Sequence, residues 1–144
     1  VGRGELDTLI RLRSWDCEQG RRAVATAQAR INETADRLRE LVTARDRERS
    51  AAALTADARL GLAAYERRIR GEREKLAAAL AAAGRELAEA RGTLAAAYRE
   101  KRKLELAQAE RARAEAAARA RRERIALDEI ALNNAKSPSP EYKP

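Results

Sequence analysis

The sequence predicts an all-α protein: a long antiparallel two-helix coiled-coil hairpin with an overhanging C-terminal helix. Three observations carry that reading. Of 144 residues, 38% are charged and only 3% aromatic, with no Phe and no Met, so the chain can bury a stripe but not a large globular core. No Pro occurs before Pro138, so nothing over most of the length forces a helix to end. Small and apolar residues recur at alternating steps of four and three along two separate stretches, which is the repeat of a left-handed coiled-coil seam.

Residues 1–4 are expected to lie ahead of the first helix, disordered. Gly4 followed by Glu5 and Asp7 suits an acidic helix start, and the first helix is placed over about residues 5–50. Its seam reads Leu6, Ile10, Arg13, Cys17, Gly20, Val24, Ala27, Ile31, Thr34, Leu38 and Leu41, and fades after Val42. Arg45, Arg47 and Arg49 suit the negative end of a helix dipole, and Thr55 before Asp57 suits a new N-cap, so the turn is placed over about residues 51–56. Gly61 is a second candidate for the bend.

The second helix is placed over about residues 57–135, with the seam Leu62, Tyr65, Ile69, Arg73, Leu76, Leu80, Ala83, Leu87, Ala90, Leu94, Ala97, Lys101 and Leu104. A turn near Ala53 pairs the start of helix 1 with the neighbourhood of Lys101 and leaves the rest of helix 2 without a partner in the chain. From Ala107 to Arg124 no apolar side chain is larger than Ala, and Arg111, Glu115, Arg119 and Glu123 stand one turn apart. Such i,i+4 pairs contribute only about 0.2–0.5 kcal/mol each, but with Ala they let a helix persist in water. Apolar residues return at Ile125, Leu127, Ile130 and Leu132, too late for helix 1 to cover. Residues 136–144, with Pro138, Pro140 and Pro144, read as a disordered Pro/Ser tail.

Composition also narrows the function. With no His, neither a Ser-His-Asp arrangement nor the usual zinc sets can be built, and the carboxylates alternate with Arg and Lys as on a solvated helix face. The sequence therefore predicts no enzyme, no metal and no cofactor. Gly61, Gly71, Gly84 and Gly92 sit singly in helical periodicity without a phosphate-loop signature, and mark either close helix approach or local flexibility. Cys17 falls on the seam as a small hydrophobe, and a lone Cys supplies no internal disulfide. Trp15 and Tyr98 lie beside the seam, each a partly covered flank or a docking aromatic. No apolar run approaches the ~20 residues that span a bilayer, so no direct membrane insertion is expected. The net charge of +8 suggests an anionic partner, but acidic residues are threaded through the basic ones, as in Arg45-Asp46-Arg47-Glu48-Arg49, and no nucleic acid is expected as primary partner.

Three phrases are recognisable: Leu6-Asp7-Thr8-Leu9-Ile10-Arg11-Leu12-Arg13, Tyr98-Arg99-Glu100-Lys101-Arg102, and Arg122-Glu123-Arg124-Ile125-Ala126-Leu127-Asp128-Glu129-Ile130-Ala131. With this layout the chain resembles the FliJ family of flagellar (type III) export proteins. The resemblance implies a non-enzymatic stalk of a hexameric export ATPase, linking it to the cytoplasmic domain of the export gate and to export chaperones. It implies a cytoplasmic protein, peripheral to the inner membrane at the base of the export apparatus. Carried over by position, Leu9, Arg11, Leu12, Arg13, Arg124, Leu127, Asp128 and Glu129 would face the ATPase, and Leu41, Ile69 and Leu76 would face the gate. Ala44, Glu48, Arg73 and Leu80 depart from the family pattern near the gate surface. The residue-level reading adds Ile125, Ile130 and Leu132 as an exposed apolar end that needs a partner.

Other readings remain. A stalk of a virulence type III secretion system shares the pattern. A basic coiled-coil scaffold would self-associate through extended chains, and a nucleic-acid-binding protein would lose affinity steeply with salt.

Overall fold

The computed structural model describes residues 2–137 and Pro144; Val1 and most of the expected Pro/Ser tail lie outside the described residues. Two helices make up the fold, α1 (Arg3–Ala52) and α2 (Ala56–Lys136), with no strand among the described residues. The protein is an all-α helical hairpin. By contact the chain divides into two compact units, Arg11–Glu100 and Val1–Ile10 with Lys101–Pro144.

In the unit Arg11–Glu100 the helices run antiparallel. Arg21 meets Tyr98, Gly20 meets Leu94, Arg30 meets Glu86 and Arg49 meets Glu66, so ascending α1 faces descending α2. Cys17, Ala27, Ala52, Ile69, Ala83 and Leu87 form its buried core, and no large side chain is wholly enclosed. A two-helix seam has solvent on both flanks, so its contacts are a line of half-covered side chains. Val24, Ile31, Leu38 and Leu41 on α1, and Leu76, Leu80, Leu94 and Ala97 on α2, are covered to that intermediate degree at the expected seam phase.

Two details of the seam differ from expectation. It does not end after Val42: the Arg45 side chain is only 24% exposed and Ala52 is buried. Arg73, expected on the seam, is exposed. A guanidinium at that phase has no buried carboxylate to meet, so it reaches the edge of the seam instead.

The turn is Ala53–Thr55. Ala53 N–H donates to the Arg49 carbonyl at 3.2 Å and closes α1, while Thr55 Oγ1 accepts from Ala58 N–H at 3.2 Å and caps α2. α2 continues through Gly61 without a break. Residues 53–61 are all exposed, including Leu54 and Leu60, so the first turns of α2 have no α1 residue against them.

In the unit Val1–Ile10 with Lys101–Pro144, Asp7 accepts from Gln108 and Arg3 pairs with Glu115 at 3.6 Å. The start of α1 therefore lies against residues 108–115 and not against Lys101, and the overhang begins later than the sequence suggested. α1 also begins earlier, at Arg3, because the Glu5 carboxylate turns back to accept from Gly2 N–H at 2.5 Å and satisfies an open helix-start donor. Leu6 is the buried hydrophobic residue of this unit. Beyond Glu115 only Ala118 is partly covered, and α2 is exposed from Arg119 onward.

Close helix approach does not occur at Gly61, Gly71, Gly84 or Gly92, where an added Cβ would meet nothing within 4 Å. It occurs at Gly20, where the same atom would lie 2.9 Å from Leu94 Cδ1.

Candidate functional site

The end of α2 is built from a helix that no second helix covers. Ile125 is 51% exposed, Leu127 65%, Ile130 56% and Leu132 60%, four exposed large apolar residues within eight positions. With about 3.6 residues per turn, Ile125 and Leu132 share one side of the helix, whereas Leu127 and Ile130 share the opposite side. Arg124, Asp128 and Glu129 occupy the sectors between them and are exposed. A helix apolar on opposite sides removes all of its apolar surface from water only if it is surrounded, since a flat partner would leave one side in water. Nothing in the pattern suggests chemistry: the residues are apolar or carry ordinary surface charges.

The other residues expected to face the ATPase lie on α1. Leu9 is 37% exposed and stands on α1 near the Asp7–Gln108 contact, so roughly 30 Å of helix separates its level from Leu127. Arg11, Leu12 and Arg13 belong to the unit Arg11–Glu100. There Leu12 is half-exposed and Arg13 Nη1 is paired with Asp16 Oδ2 at 3.1 Å.

Of the residues expected to face the gate, two meet and one does not. Leu41 and Leu76 line one open groove of about 490 Å³ with Arg37, Glu40, Ala44, Glu72 and Lys75. Its apolar floor lies between a rim of alternating charge. Ile69 is 5% exposed and belongs to the helix–helix seam, so its side chain offers no surface to a partner.

The two flanking aromatics have different surroundings. Tyr98 is tied across the seam: its hydroxyl accepts from Arg21 Nε at 2.6 Å, with the Arg21 guanidinium 5.5 Å from the ring centroid. The hydrogen bond to Tyr98 raises the pKa of Arg21 further above its ordinary value. Trp15 stays 60% exposed on the surface of α1. No group of three His, Cys, Asp or Glu placed to hold a metal occurs among the described residues, and no helix there is long and apolar enough to cross a membrane.

Sequence reasoning missed one cluster. Arg45, Arg49, Arg70 and Arg73 line a single small cleft with Glu66 and Ile69. The signal was present in the heptad phase, since Arg45 stands four residues after Leu41 and Arg73 four after Ile69, both at seam positions.

These features define a class: an all-α helical hairpin with a half-buried seam and an uncovered, apolar-ended second helix. The particular family follows from comparison with known proteins. The family profile described as Flagellar FliJ protein matches residues 3–138, nearly the whole chain, and the chain belongs to that family. No curated protein and no solved structure matches it. The family is a non-enzymatic component of flagellar protein export, and the chain is accordingly an export-related flagellar protein.

Proposed function

We propose that the chain is the central stalk of the hexameric export ATPase, linking it to the cytoplasmic domain of the export gate and to substrate chaperones, with no catalytic activity of its own. It works in the cytoplasm at the base of the export apparatus, peripheral to the inner membrane. The observation that carries this reading is the end of α2, apolar on opposite sides through Ile125, Leu132, Leu127 and Ile130, all exposed. A ring encloses such an end on every side and so removes all four side chains from water. In this reading Leu127, Asp128, Glu129 and Arg124 meet the ATPase at that end, with Leu9, Arg11, Leu12 and Arg13 contributing from α1. The groove at Leu41 and Leu76 takes the gate.

Pulldown with the hexameric ATPase, together with nucleotide hydrolysis measured with and without the chain, tests the stalk role. The intact chain is expected to bind and to raise the hydrolysis rate. Leu127→Ala with Ile130→Ala removes apolar surface from one side of an exposed helix end, so the hairpin should keep its helical circular dichroism while binding falls at least tenfold. No binding by the intact chain, or undiminished binding by the double variant, would remove the stalk reading.

A further inference from the structure

The cleft at Arg45, Arg49, Glu66, Ile69, Arg70 and Arg73 lies near the turn and shares no lining residue with the neighbouring groove at Leu41 and Leu76. Four guanidinium groups and one carboxylate line it. Glu66 is engaged, since its Oε1 accepts from Arg49 Nε at 2.5 Å. Arg45 lies largely covered, and its Nε is buried with no hydrogen-bond partner, while its Nη2 reaches Asp46 at 3.4 Å outside the cleft.

A buried N–H without an acceptor is unfavourable, and so is the gathering of like charges around one small space. An anion in the cleft offsets the second, whereas Arg45 Nε is itself closed to solvent and so to a ligand. The cleft holds about 60 Å³, room for roughly two water molecules at ~30 Å³ each, which suits a single oxyanion head and excludes a nucleoside or a peptide backbone. The uncompensated charge favours a phosphate, which carries about −1.5 to −2 at neutral pH, over a single carboxylate. Guanidinium groups present paired N–H donors that match phosphate oxygens, which Lys does not do.

We propose that this cleft binds a phosphate group, as free inorganic phosphate or as the terminal phosphate of a nucleotide whose remaining part stays in solvent. Arg70 and Arg73 line it from α2, and Arg45 and Arg49 from α1.

Titrating the full-length chain with inorganic phosphate and separately with ATP, followed by phosphorus NMR and calorimetry at constant ionic strength, tests the site. Saturable binding is expected, and Arg70→Gln with Arg73→Gln is expected to lower the affinity at least tenfold. Arg113→Gln with Arg121→Gln removes the same charge elsewhere on α2 and should change it less than twofold. Binding of phosphate that competes with ATP identifies free phosphate as sufficient; binding of ATP alone identifies a nucleotide as the source. Failure of both ligands to bind, or equal losses in the two double variants, would overturn the proposal.

Discussion

A methyl group added at Gly20 would lie 2.9 Å from Leu94 Cδ1 and 3.4 Å from Leu94 Cα, whereas one added at Gly84 would meet nothing within 4 Å. Both glycines are helical with ordinary backbone angles, so Ala gains about 1 kcal/mol of helix propensity at either position. At Gly20 that gain opposes an overpacking cost of about 1–3 kcal/mol, because the seam must open or Leu94 must leave its rotamer. Urea unfolding is therefore expected to show Gly84→Ala stabilised by about 0.8–1 kcal/mol and Gly20→Ala destabilised by about 1 kcal/mol. Cys17 gives a second residue-scale probe. Its thiol is 3% exposed, so a thiol-specific reagent should label the native chain at the rate at which the seam opens and far faster in denaturant. Immediate labelling of the native chain would contradict the seam placement of Cys17.

At the scale of the elements, the helices are joined by a narrow stripe with charged flanks. Arg30 with Glu86 and Arg49 with Glu66 cross between the helices, but their side chains are substantially solvated and each contributes about 0–1 kcal/mol, less as salt rises. The seam residues dominate. Leu87→Ala, at a position 7% exposed, is expected to cost about 2–3 kcal/mol, toward the low end for a buried Leu because solvent borders the seam. Thr55 holds the start of α2 through its hydroxyl, and Thr55→Ala should cost about 1 kcal/mol by loss of that cap. Thermal or urea unfolding of the two variants checks the order, Leu87→Ala being the larger loss.

For the molecule as a whole, stability is distributed unevenly along α2. The unit Arg11–Glu100 buries Cys17, Ala27, Ala52, Ile69, Ala83 and Leu87, whereas from Arg119 to Lys136 every residue of α2 is exposed. That stretch holds its helix by Ala and Arg propensity and by local hydrogen bonds alone. Amide hydrogen exchange in the isolated chain is expected to be orders of magnitude faster over residues 119–136 than over residues 80–97. In complex with a ring that surrounds the helix end, protection over residues 125–132 should rise, because opening then requires the partner to leave. Unchanged exchange there in the complex would place the partner elsewhere.

The class of fold, both helix seams and the apolar end were legible in the order of the residues alone. Heptad phase and the absence of Pro act locally, so Leu6, Cys17, Ala27, Ile69, Ala83 and Leu87 could be assigned to the buried side without knowing the partner helix. The exposure of Ile125, Leu127, Ile130 and Leu132 was equally legible, since no length of α1 could reach them. The register between the helices was not legible there. A heptad seam repeats every seven residues and admits several registers of similar apolar content, and the choice among them rests on contacts far apart in sequence. Gly20 against Leu94, Arg49 against Glu66 and Arg3 against Glu115 select one, with the uncovered turn around Leu54 and Leu60 as its consequence. That register also gathered Arg45, Arg49, Arg70 and Arg73 at one cleft. Periodicity on one helix states which side a residue faces, but only the pairing of two helices states which residues meet.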